Sequence, residues 1–152
     1  MEKKCDLKKP EFENQFIADE KRPLIPEGIY KAQCIKYEIN YSHHKSRKIF
    51  LHFLLLDGEY QGTQLFMAMN LSNGQGKNIG TIPKGSKYYK QWVIANRNQF
   101  PARGAVMSPR TFKSGIYEVS VRTVKPKYPD GKTLMPECFD YSVIDFIIQR
   151  EA

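Results

Sequence analysis

The chain has 152 residues with 24 Lys+Arg against 16 Asp+Glu, a formal net charge of +8, and that length suits one domain able to bury its own core. Hydrophobic residues at 41% and charged residues at 26% form an ordinary globular balance, which excludes disordered and fibrous chains. No apolar run approaches the roughly 20 residues of a membrane span, and the start MEKKCDLKKPEFENQ lacks the apolar stretch of a secretory signal. Three cysteines far apart (Cys5, Cys34, Cys138) make no disulfide scaffold, so a cytoplasmic protein without membrane contact is expected.

Residues 1–22 form a polar arm with only Leu7, Phe12, Phe16 and Ile17 as apolar anchors, either flexible or docked through those few residues. Pro23 and Pro26, followed by Glu27-Gly28, open a folded domain over residues 23–152. The first predicted strand, Ile29–Tyr41, places Tyr30, Ala32 and Cys34 on one face and then Ile35, Tyr37, Ile39 and Tyr41 at the opposite parity. Such a switch is the mark of a β-bulge, which bends long strands. A basic connection, residues 42–48, leads to a second strand at Ile49–Leu56, ended by Asp57-Gly58, and a third follows at Thr63–Leu71. After the loop SNGQGKN, Ser86 caps a helix over KYYKQWVIANRNQF, with Tyr89, Trp92 and Val93 expected inward and Tyr88 outward. An irregular basic stretch precedes a fourth strand, Ile116–Val124, and a turn-rich connection leads to a fifth at Cys138–Ile148.

The order β-β-β-α-β-β is the pattern of an OB-fold, a partly open five-stranded barrel. Another small barrel or an α+β sheet are the alternatives. An OB-fold binds across strands two and three, between the 1–2 and 4–5 loops. The 1–2 loop holds Tyr41, His43, His44, Lys45, Arg47 and Lys48, and the 4–5 loop holds Lys125, Lys127, Tyr128 and Lys132. In strand two, Ile49, Leu51, Phe53 and Leu55 should face the barrel interior and Phe50 and His52 the ligand. In strand three, Leu65, Met67, Met69 and Leu71 point in and Phe66 out. Flat side chains in a cationic groove suit single-stranded nucleic acid. The alternative is that Phe50 and Phe66 cover a second small core, since Leu54 and Leu56 share their face.

The positive charge is also localised. Between Glu59 and Glu118 there is no acidic residue, and this span carries eight cations, equal to the whole net charge. A surface of one sign faces a polyanion, with Lys87, Tyr88, Lys90, Arg97, Arg103, Arg110 and Lys113 as candidate backbone contacts. No Cys or His stands at metal-ligand spacing beside His43-His44, and no acid pair or nucleophile–base arrangement indicates catalysis. Neither metal, cofactor nor enzymatic activity is therefore expected.

PEGIYKAQCIKYE, GEYQGTQLFMAMNL and the final FDYSVIDFIIQ together resemble the small single-stranded-DNA-binding proteins of phages, plasmids and integrating elements, over about residues 24–148. The resemblance implies a non-catalytic OB-fold protein that binds replication or recombination intermediates without sequence preference, often as a homo-oligomer. Many bacterial relatives of that kind end in an acidic tail with a terminal Phe, whereas this sequence ends Ile148-Gln149-Arg150-Glu151-Ala152, so recruitment of partners through such a tail is not expected. Two rival readings share the basic surface: an RNA-binding protein of the same fold, and a protein-interaction module that inhibits host nucleic-acid machinery.

Overall fold

The computed structural model describes residues 15–41, 47–71 and 82–152. Five strands, β1 (Gly28–Tyr41), β2 (Arg47–Leu55), β3 (Gln64–Asn70), β4 (Ile116–Val124) and β5 (Tyr141–Arg150), form one antiparallel sheet in the order β3-β2-β1-β4-β5. Strand β1 is the pivot. Its first half pairs with β4 and its length from Ala32 onward pairs with β2.

The parity switch in β1 is a register shift between Cys34 and Lys36. Ala32 and Cys34 lie opposite Leu55 and Phe53, while Tyr37 and Ile39 lie opposite Leu51 and Ile49. All four partners on β2 are buried. Ile35 is thus the extra residue that keeps both halves of a 14-residue strand in phase with the core while bending it. The interior is filled by the inward residues of β2 and β3, with Val119, Val121, Ile144 and Ile147 from the other side of the curl.

The curl brings the edges β3 and β5 together without a hydrogen-bonded ladder between them, and the helix α1 (Lys87–Ala95) packs on both strands. An open edge exposes peptide groups that need partners. Here Gln91, only 5% exposed, supplies them: its Oε1 accepts from the Ile147 N–H at 2.5 Å and its Nε2 donates to the Ile147 carbonyl at 3.3 Å. One turn earlier the Lys87 Nζ donates to the Asp145 carbonyl at 2.5 Å. At the far end, the Arg150 Nη1 donates to the carbonyls of Ala95 and Thr111, both at 2.9 Å. The helix acts as a substitute neighbour for β5.

Ser86 caps α1 as expected, its Oγ accepting from the Tyr89 N–H at 3.1 Å. The helix stops at Ala95, short of the expected end, because Arg97 and Asn98 take left-handed backbone angles (φ 58° and 61°). The inward stripe also differs by one position from expectation. Tyr88, Gln91, Trp92 and Ala95 face in, Val93 is buried as expected, and Tyr89 is half-buried. Tyr88, expected at the surface, is 1% exposed. Its hydroxyl donates to the Met107 carbonyl at 2.8 Å and its ring meets Phe112 edge-on at 5.7 Å. A polar Gln recruited by the β5 edge sets the helix rotation, and apolar spacing alone does not register that pull. Strand β5 begins at Tyr141 rather than Cys138, because residues Glu137–Phe139 form a 3₁₀ turn after Pro136.

The segment entering the domain is bolted to the start of β5. Ile25 is buried, the Ser142 N–H donates to the Pro23 carbonyl at 2.9 Å, and the Ser142 Oγ accepts from the Ile25 N–H at 2.8 Å. Before Pro23 the arm changes character, with Phe16 and Ile17 almost fully exposed. Leu7 and Phe12 lie outside the described residues. No helix among the described residues is long and apolar enough to cross a membrane.

Candidate nucleic-acid interface

Alternation along β2 and β3 leaves Phe50, His52 and Phe66 on the outer face of the sheet, each half-buried, as the sequence predicts. The registers set their spacing. His52 lies opposite Phe66 and Phe50 opposite Ala68, so the two Phe rings are diagonal neighbours. Their centroids are 5.6 Å apart at 63°, an edge-to-face pair. On the other side, Tyr141 at the start of β5 comes within 6.5 Å of Phe66 at a tilt of 32°. Phe50, Phe66 and Tyr141 therefore form a file of rings running from β2 across the β3 edge to β5.

Charge surrounds this file. Lys36 and Glu38 on β1 lie opposite His52 and Phe50, and the His52 Nε2 is 2.9 Å from the Glu38 carboxylate. Lys48 is exposed near the start of β2, and Arg47, half-buried, begins that strand opposite Tyr41. The guanidinium of Arg22 lies over the Tyr141 end of the file, 4.4 Å from the Tyr141 centroid and 5.9 Å from that of Phe66. The side chain of Tyr41, together with His43, His44 and Lys45, falls outside the described residues.

The β4–β5 connection is an ordered hairpin tip that exposes Lys125, Lys127, Tyr128 and Lys132. Asp130 builds it. Its Oδ1 accepts from the N–H groups of Lys132 (2.8 Å) and Thr133 (2.9 Å), and its Oδ2 accepts from the Thr133 hydroxyl at 2.7 Å. These bonds hold the carboxyl below its ordinary pKa. Lys125 is bonded at 3.0 Å to Asp140, which raises the pKa of its ammonium and uses part of its charge locally. Lys127 and Lys132 have no such partner among the described residues.

The remaining cations do not converge on the ring file. Lys113 and Arg110 lie just before β4, whereas Lys125 and Lys127 lie just after it. The nine residues of β4 put about 30 Å between those groups. Arg97 follows the helix end, which Arg150 ties to Thr111, so it belongs to the Arg110–Lys113 side. Arg103 is exposed in the connection between them, and Lys90 is exposed on the helix. Lys87 is turned to the Asp145 carbonyl, and desolvation lowers its pKa. Tyr88 is removed from the surface altogether.

Arg22 and Tyr141 escape sequence reasoning. Starting the fifth strand at Cys138, three residues too early, obscures the place of Tyr141 beside β3. Arg22 stands in a segment without periodicity, and only its position next to Pro23 marks it. Among the described residues, no group of three His, Cys, Asp or Glu side chains is placed to hold a metal ion. Cys34 is buried, its thiol pushed up to about 12 by desolvation, while Cys138 is exposed.

No protein-family model matches this chain, and no curated protein matches it.

Proposed function

We propose that this protein is a non-catalytic binder of single-stranded DNA that grips the strand across the outer face of β1, β2 and β3. The observation that carries this reading is the file Phe50–Phe66–Tyr141, half-buried rings side by side on the outer face of the sheet. Stacking a base on such a ring contributes about 1–3 kcal/mol and works with any sequence, because every base has a π-face. Lys36 on β1 and Lys48 on β2, with the exposed Lys127 and Lys132 of the β4–β5 connection, supply the phosphate contacts in this reading. The element order, with a helix between β3 and β4 filling a curled five-stranded sheet, supports an OB-fold, and that fold binds ligands on this face. The role that follows is protection of replication or recombination intermediates in the cytoplasm.

Fluorescence anisotropy with labelled oligo-dT tests it, with duplex DNA and RNA as competitors. The wild type should bind with strong salt dependence and resist the duplex, and Phe66→Ala should weaken binding by about tenfold or more with its melting temperature little changed. Equal binding by wild type and a Phe50→Ala/Phe66→Ala variant would overturn the reading. Complete displacement by RNA would move the assignment to RNA.

A further inference from the structure

Resting on that reading, we propose that Arg22 is an internal occupant of the base-stacking surface, which a bound strand must displace. The guanidinium carbon stands 4.4 Å from the Tyr141 centroid and 5.9 Å from that of Phe66. A base stacked on the same rings would lie at van der Waals distance, about 3.5–4 Å. The gap is filled already, so a base and Arg22 cannot share the rings.

The arm is built to leave. From Pro23 onward the chain is fastened to β5 through the Ser142 bonds to Pro23 and Ile25. Among the described residues, no hydrogen bond or ion pair ties 15–22 to the domain, and every residue of that segment is exposed. Arg22 is the last residue before the fastening point, and its hold is the cation–π interaction. Such an interaction is weak at an exposed site. Lys21 and Arg22 also line a 480 Å³ groove, together with Pro126, Cys138, Phe139, Asp140 and Tyr141. Withdrawal of the arm would open that groove and extend the ring surface toward Phe139. The released guanidinium then stands beside the bound strand with its charge free for a phosphate.

Two measurements on the full chain decide the matter. Trypsin can cut after Lys21 but not after Arg22, which precedes Pro23. Saturating oligo-dT should therefore speed the appearance of the fragment that begins at Arg22, read by mass spectrometry. Arg22→Ala should tighten oligo-dT binding by about two- to fivefold at about 0.3 M salt, where phosphate attraction is weak. Protection of the Lys21–Arg22 bond by DNA, or weaker or equal binding by Arg22→Ala, would overturn the inference while leaving the binding face intact. If neither wild type nor Arg22→Ala binds oligo-dT even at low salt, the functional reading fails and this inference with it.

Discussion

Single residues decide more here than their chemistry alone suggests. Gly115 is an example, since a Cβ at that position would run into the Tyr117 hydroxyl. That hydroxyl is not free to move, because it donates to the Phe112 carbonyl at 2.9 Å and its ring lies in the core against Phe53. Gly115→Ala should therefore destabilise the fold by about 1–3 kcal/mol, the usual cost of overpacking, read as a lower urea midpoint with an unchanged slope. At the same scale the outward direction of Phe50, His52 and Phe66 was legible in the sequence, because strand alternation needs only the period of two. Tyr88 was not. Its burial depends on a hydroxyl finding the Met107 carbonyl, a partner 19 residues away.

Among the elements, α1 has the most specific task. Gln91 satisfies both peptide groups of Ile147 on an edge that β3 does not pair. Gln91→Leu keeps the volume but leaves a buried N–H and C=O without partners, at about 1–3 kcal/mol. Thermal unfolding should show that destabilisation, and the Ile147 amide should exchange with solvent faster than its neighbours on β5. The bulge in β1 is an element-scale feature that the sequence did declare. The switch from Cys34 to Tyr37 in the inward series has one meaning once the strand must stay on one core. The helix rotation was the opposite case, because a glutamine carries no sign in the sequence that it will face a strand edge.

For the whole molecule, the distribution of charge matters more than its sum. The acid-free span suggested one continuous basic surface, yet β4 separates Arg110 and Lys113 from Lys127 and Lys132 by its own length. Only the second pair lies in the connection that leads into β5, where Tyr141 joins the ring file. Removing one lysine–phosphate pairing should flatten the dependence of log affinity on log salt by about 0.7 for a single strand. Lys127→Ala/Lys132→Ala should thus reduce the slope by up to about 1.4, while Arg110→Ala/Lys113→Ala should leave it within error. Equal effects from the two pairs would mean that the strand wraps around the curled sheet.

By itself, the sequence determined the number and order of the strands and the place of the helix, the inward faces of β2 and β3, the bulge and the helix cap. Each of these follows from local spacing and from the demand that apolar side chains leave water. Tertiary structure alone decided which cations share a surface, which tyrosine is buried, and that Arg22 and Tyr141 meet Phe66. Those outcomes depend on how the sheet curls to bring its first-half and second-half edges together. Residues 22, 66 and 141 are far apart along the chain, and no periodicity links them. Only the approach of β3 to β5 brings the two rings together, and only the fastening of Pro23 to Ser142 delivers the guanidinium to them.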